Sequence, residues 1–203
     1  MTPPWHPRNT APCGAPRYPG ARLRIWTATI LLAFLPLAAA AETLLGRVIG
    51  VSDGDTITVL DIAKQPRKVR LAGIDAPEKN QPFGKRSKQA LAAMVFGREV
   101  RIEWQKQDRY RRIVGQVWAE RSGPDCGQRP CPRMRDVCLA QVEAGLAWHY
   151  RQYEREQSPD DRLRYGATEE AARAKRLGLW ADPHAIPPWE WRKRSLSRPM
   201  PVR

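Results

Sequence analysis

The chain has 203 residues, 35 Lys and Arg against 21 Asp and Glu, and a net charge of +14. That length suits one domain with appendages, and the absence of internal repeats excludes a solenoid or other repeat array. The charge says nothing about fold, but it favours a polyanionic partner, either nucleic acid or an anionic membrane surface, through Coulomb attraction and counterion release.

Residues 1–20 are Pro-rich without periodicity and read as a disordered extension. Arg22 and Arg24 then precede an uncharged run from Ile25 to Ala41 that ends in small residues. A basic flank, an apolar stretch and an A-x-A site describe a secretory signal cut near Ala41. The alternative is a short membrane anchor formed by residues 25–41 if the signal is uncleaved. Leu23 is the expected initiator, with residues 1–22 upstream of the true start. Removing residues 1–41 takes away four arginines and no acids, and lowers the net charge from +14 to +10. Residues 42–194 are the expected domain and 195–203 an expected disordered tail. Export, to the periplasm or the medium, permits disulfides. Cys126 and Cys131 in "DCGQRPCP" are the expected pair, with Cys138 left over and buried on a helix. A zinc site from these three cysteines and His149 is the weaker reading, because no C-x-x-C pair exists.

From Leu44 to Trp118 the pattern is of short strands, "LLGRVIGV", "TITVL", "KVRLAGI", "EVRIEW" and "IVGQVWA". A helix interrupts them after the third, with Ala90, Leu91, Met94 and Val95 at helical spacing before Gly97 stops it. Asp136 is a predicted N-cap for "VCLAQVEAGLA", with Leu139, Val142 and Leu146 on one face. A third helix starts at Ser158-Pro159 and is expected to run to Gly178. Five strands with this helical insertion predict an α+β fold, a five-stranded OB-type barrel with three packed helices.

Two acidic knots and a basic loop interrupt the strands. In "SDGDT", Asp-Gly reads as a hairpin turn, with the glycine expected to supply positive φ. Asp55 at the start of the next strand offers a carboxylate to a hard cation. In "RLAGIDAPE", strict alternation would put Arg70 and Asp75 on opposite faces unless the strand bends at Gly73. Pro77 stiffens the segment that carries Asp75, the Ala76 carbonyl and Glu78. "DRYRR" then supplies Tyr110 as an aromatic face and Arg112 as a forked phosphate donor. Cutting a phosphodiester needs a cation, a base to activate water, and donors to the equatorial oxygens. Asp55, Asp75 and the Ala76 carbonyl suit Ca2+, Glu78 suits the base, and Arg70 and Arg112 suit a phosphate clamp.

"VSDGDTITV", "VRLAGIDAPE", "DRYRRIVG", "QVEAGLAW" and "AKRLGLWAD" together resemble, in order over residues 44–182, the signature segments of the thermonuclease family, the staphylococcal-nuclease-like proteins. The resemblance implies an OB-fold barrel with three helices and Ca2+-dependent cleavage of DNA and RNA to 3′-phosphate ends. It matches Asp55, Asp75 and the Ala76 carbonyl to the metal ligands, Arg70 and Arg112 to the phosphate-binding arginines, and Glu78 to the general base. Arg109 and Tyr110 match the basic and aromatic pair near the nucleotide, and Tyr153 a second stacking aromatic. Arg111 stands where the family often has glycine, so the loop backbone is in question if positive φ is required there. The expected protein is a monomer with nucleic acid as its only partner.

Two other readings compete. A non-catalytic OB-fold binding module would typically lack the acids and arginines kept here. A metal-free ribonuclease would need partnered histidines, whereas His149 near a helix end reads as packing and His184 lies in a turn. Of the six tryptophans after residue 41, Trp104, Trp118 and Trp180 are expected in the core. Trp189 and Trp191 are expected to pin an extended strap.

Overall fold

Alternation along five strands builds the barrel: β1 (Glu42–Val51), β2 (Thr56–Asp61), β3 (Pro66–Leu71), β5 (Glu99–Gln107) and β6 (Ile113–Glu120). In this computed structural model the described residues are 42–120 and 134–196, without the side chains of the last two. The predicted signal segment and the Cys126–Cys131 pair lie outside them. Inward positions such as Val48, Ile57, Val59, Val69, Ile102 and Val117 are fully buried, at 0–1% exposure. Their outward neighbours are charged on β1, β3 and β5, with Arg47, Lys68, Arg101 and Glu103, as the two-residue period of a half-buried strand allows.

β1, β2 and β3 form an antiparallel meander, and β5 and β6 continue the sheet on the other side of β1. The barrel closes where β3 runs parallel to β6, with Val69 opposite Ile113 and Leu71 opposite Gly115. Mixed closure of five strands gives the α+β OB-type barrel that the strand order predicts. A short β7 (Met134–Asp136) extends β6. In a separate small sheet, β4 (Ile74–Asp75) pairs with β8 (Trp148–His149), a two-residue ladder too short to be visible in the periodicity.

Among the described residues, four α-helices pack around this frame. α1 (Gly84–Val95) buries Leu91 and Val95 at 0% exposure and leaves Met94 at the core's margin. α2 (Val137–Glu143) begins where predicted: the Asp136 carboxylate accepts from the Leu139 N–H. Its buried face is Cys138, Gln141 and Val142, while Leu139 and Leu146 are only half-buried. Cys138 is a buried free thiol on this helix. α3 (Pro159–Ala174) has Ser158 as N-cap, accepting from the Asp161 N–H and donating back to its carboxylate, with Pro159 in the first turn. It ends four residues before the expected Gly178, because Arg176 already turns into the left-handed region at φ 50°.

α4 (Pro188–Leu196) corrects the expected extended strap. Its two-proline entry stops before the helix interior, where a proline would cost a hydrogen bond. Glu190 lies in its first turn and Lys193 and Arg194 in its last, as the helix dipole favours. The tryptophan assignments also change. Trp104, Trp118 and Trp180 are half-buried, and among the described residues Trp148 is the one buried tryptophan. Trp148 meets Trp180 edge-on at 5.2 Å and Trp189 at 6.5 Å, so the C-terminal segment is pinned by an aromatic cluster. His149 sits on β8, not at a helix end; it is buried, and its Nε2 pairs with Gln157 at 2.8 Å.

Candidate active site

The two acidic knots meet because their strands are neighbours. β2 and β3 pair with Thr56 opposite Arg70, and the Leu71 N–H donates to the Asp55 carbonyl at 2.8 Å. Asp55 therefore lies beside Arg70. The chain then reverses at Gly73, whose φ of 73° only glycine adopts readily. That bend returns Asp75 to the same side, as the face parity demanded. Arg70 bridges both carboxylates, its Nη1 2.7 Å from Asp55 Oδ2 and its Nη2 3.0 Å from Asp75 Oδ1.

Gly54 has a different role from the one its sequence context predicts. Its φ is not positive; space is what it supplies. A Cβ at this position would lie 1.9 Å from Ser87 Oγ and 2.7 Å from the Ala76 Cβ. The acidic turn thus packs against α1 and the Ala76 segment. Gln141, buried at 0% exposure in α2, donates to the Gly54 carbonyl at 2.8 Å and to the Ser87 carbonyl at 3.1 Å. This positioning residue opens the segment "QVEAGLAW" but had no assigned role; the available signal was a polar side chain within a helix flanked by apolar ones.

All nine predicted site residues line one cleft of about 640 Å³: Asp55, Arg70, Asp75, Ala76, Glu78, Arg109, Tyr110, Arg112 and Tyr153. Asp53, Tyr150 and Arg192 line it as well. Asp55 and Asp75 form its floor, both buried. Burial alone would raise the Asp55 carboxyl. The Arg70 charge, the Ala76 N–H at 3.0 Å and the Thr56 hydroxyl at 2.9 Å prevail and hold it below the usual carboxylate range. At Asp53, burial and the neighbouring Asp55 charge push the carboxyl up to about 6. Burial also pushes the Asp75 carboxyl up, against the opposing pull of Arg192 and Arg70.

The rim is built differently. Asp108 gathers its own loop: it accepts from the Tyr110 and Arg112 N–H groups at 2.9 and 3.0 Å and from Arg112 Nε at 2.7 Å. Arg111 takes φ 61°, so this loop does require the left-handed backbone that glycine would supply. The Arg109 and Arg112 guanidiniums lie 4.8 and 5.4 Å from the Tyr110 ring centroid. Across the cleft, Tyr153 meets Tyr150 edge-on at 5.1 Å and carries the Lys106 ammonium at 5.4 Å. Neither His149 nor His184 lines the cleft.

Arg192 is the member that sequence reasoning missed. From α4 its Nη2 lies 2.7 Å from Asp75 Oδ2, and its Nη1 lies 2.8 Å from Glu78 Oε1 and 3.3 Å from Asp75 Oδ1. The segment before α4 is tied to the same place. Gln81 donates to the Ile186 carbonyl at 2.6 Å and accepts from the Glu78 N–H at 3.1 Å.

As a donor set for a cation, two carboxylates and a main-chain carbonyl are hard oxygens that suit Ca2+ or Mg2+ rather than a softer metal. Among the described residues no three acidic, His or Cys side chains converge into a metal cage. A cation here would keep open positions, as a metal that must also meet substrate requires.

The chain resembles known proteins along most of its length. The family described as Staphylococcal nuclease homologue matches residues 68–182. Protein ParB of Escherichia coli is 48% identical over 172 residues, covering 84% of this chain and 92% of that protein. Micrococcal nuclease of Shigella flexneri is 43% identical over 74% of this chain and 81% of its own length. An uncharacterized endonuclease of Haemophilus influenzae is 37% identical over 84% and 86%. The chain belongs to the staphylococcal nuclease homologues, a family of metal-dependent phosphodiester hydrolases acting on nucleic acid, and is itself a nuclease.

Proposed function

We propose that the protein is an exported, monomeric, Ca2+-dependent nuclease that hydrolyses both DNA and RNA within the strand and leaves 3′-phosphate ends. The observation that carries this reading is the convergence of Asp55, Asp75, Arg70 and Glu78 on one cleft whose rim holds Arg109, Tyr110, Arg112 and Tyr153. A binding module would not need a buried carboxylate pair under its phosphate site. The exposed tyrosines at the rim suit unstacked bases of either sugar type, because stacking uses the base face and ignores the 2′ position.

Asp55, Asp75 and the Ala76 carbonyl would hold Ca2+, which when bound supplies Lewis-acid polarisation of the phosphate. Glu78 takes the proton of the attacking water as the water oxygen bonds to phosphorus. The P–O5′ bond breaks, and the departing oxygen takes its proton from solvent. Arg70 and Arg112 donate to the equatorial oxygens, where charge accumulates. Arg70 is held beside the metal position by Asp55 and Asp75, and the donors those carboxylates leave free would face the phosphate. The signal-like segment that ends at Ala41 supports the reading of export.

Purified protein incubated with single-stranded DNA, plasmid and RNA, in Ca2+ and in EGTA, tests the reading. Cleavage should require Ca2+ and fall about 10²–10⁴-fold in Glu78→Gln. Cleavage undiminished in EGTA, or in the Gln variant, would remove the assigned roles. Full activity in Mg2+ alone would contradict Ca2+ selectivity, since Mg2+ demands tighter octahedral geometry.

A further inference from the structure

Asp75 is 1% exposed, and guanidiniums occupy both of its oxygens. Arg70 binds Oδ1 at 3.0 Å; Arg192 binds Oδ2 at 2.7 Å and also approaches Oδ1 at 3.3 Å. The same Arg192 fork takes Glu78 Oε1 at 2.8 Å. A buried carboxylate is stable only when compensated, and Arg192 is compensating two acids at once. Each of them is needed elsewhere in the reaction proposed above: Asp75 as a metal ligand, Glu78 as the acceptor of a water proton.

We infer that Arg192 is a resident counter-cation of the cleft, which competes with Ca2+ for Asp75 and must leave before Glu78 can act on water. The inference rests on the Ca2+ reading above and assigns a role to a residue outside the matched family segment, which ends at residue 182. Two structural features make the exchange feasible. The Arg192 side chain is 41% exposed at the cleft, so it can swing toward solvent without unfolding the helix that carries it. That helix is held independently, by Trp189 stacked on Tyr150 at 5.4 Å, and the segment leading into it by the Ile186 carbonyl on Gln81. Arg70, by contrast, is 16% exposed and anchored by Asp55 as well, so it stays while Arg192 departs. The exchange keeps Asp75 compensated throughout, by the guanidinium at low Ca2+ and by the divalent ion at high Ca2+. It also ties readiness of the base to occupancy of the metal position, because one side chain covers both.

Calorimetric titration of the full-length protein with Ca2+, without substrate, is the test. Arg192→Gln should bind Ca2+ more tightly than the parent, by about 5–150-fold if the competition has the usual size of a coupling between ligands. Arg192→Lys, which keeps a charge but loses the fork, should fall between. On the unsubstituted protein, NMR of the Arg192 guanidinium, assigned by its loss in the Lys variant, should pass from restricted to free rotation as Ca2+ is added. That measurement decides the matter even if the Gln variant fails to fold. Equal or weaker Ca2+ binding in a folded Gln variant, or a guanidinium still restricted at saturating Ca2+, would overturn the inference while leaving the Ca2+ nuclease intact. Absence of Ca2+ binding in parent and variants alike would overturn both.

Discussion

The floor and the rim of the cleft solve the same electrostatic problem in opposite ways. On the floor, Asp55, Asp75 and Arg70 are buried or nearly so, and sheet backbone fixes each of them: β2 against β3, and β4 against β8. On the rim, Arg109 and Tyr110 project from a loop that is organised by one carboxylate, and the Tyr110 side chain is 64% exposed. Groups that must be in place before charge develops belong on rigid elements, whereas groups that accommodate varied bases benefit from slack. The difference implies that floor substitutions damage both fold and chemistry, and that truncating an exposed base-facing rim side chain such as Tyr110 damages substrate handling alone.

The largest effect should come from Arg70→Ala. It leaves two buried carboxylates without their shared partner, which costs about 3–5 kcal/mol of stability, and it removes a phosphate donor, which costs about 10²–10³ in kcat/KM. Thermal unfolding and steady-state kinetics on the same preparation check the two together. A fall in activity with an unchanged melting temperature would break the comparison, since it would make the floor as dispensable to folding as the rim. Tyr110→Ala is the opposing case. Loss of one base stack should weaken single-stranded DNA binding by about 1–3 kcal/mol, seen as a raised KM, with kcat and melting temperature little changed. If kcat falls and KM does not, Tyr110 belongs with the chemistry and the division fails there.

How legible each region was follows from how far its contacts reach along the chain. The floor could be read because its logic is local. Alternation placed Arg70 and Asp75 on opposite faces, and Gly73 was the one residue able to reverse them. The rim backbone could also be read in part, since an arginine in a glycine's usual place raised the question that Arg111's φ of 61° answers. Arg192 could not, because it meets Asp75 across 117 residues. The prolines before it favoured an extended strap, although Pro188 followed by Glu190 and later by Lys193 and Arg194 has the charge order of a short helix. Gly54 misled for a different reason. Asp-Gly is a turn signal through φ, and the crowding by Ser87 that requires glycine here comes from α1 and is invisible locally.

A smaller effect separates the rim's own parts. Asp108→Asn keeps an acceptor for the Tyr110 and Arg112 N–H groups but loses the charge facing the Arg112 guanidinium, at a cost of about 1–2 kcal/mol. Burial works against the Asp108 charge, but its bonds to Arg112 and Tyr110 prevail and depress its folded value below the ordinary 3.8. A depressed carboxyl contributes stability above its unfolded value and loses it as pH falls through the folded one. The melting-temperature gap between parent and Asn variant should therefore hold from neutral pH down to about 4 and close below that. A gap that ignores pH would mean that the Asp108 charge is not what orders the loop.

The smallest change is also the only one expected to stabilise. Arg111 holds φ 61° in a turn where the Arg111 N–H donates to the Asp108 carbonyl at 2.9 Å, a conformation that costs a residue with a Cβ about 1–2 kcal/mol. Arg111→Gly removes that strain but adds freedom to the unfolded chain, which takes back about 0.4–1 kcal/mol. The net should be a gain of up to about 1.6 kcal/mol in chemical denaturation. A charge is lost at the same time, so association with nucleic acid should become slightly less salt-dependent. If the Gly variant is less stable than the parent, the Arg111 side chain contributes contacts that outweigh its backbone strain, and the rim is more rigid than its exposure implies. If it is more stable with unchanged kcat, the loop's geometry is set by Asp108 and the turn itself, and the arginine at this position serves the approach of the polyanion rather than the shape of the site.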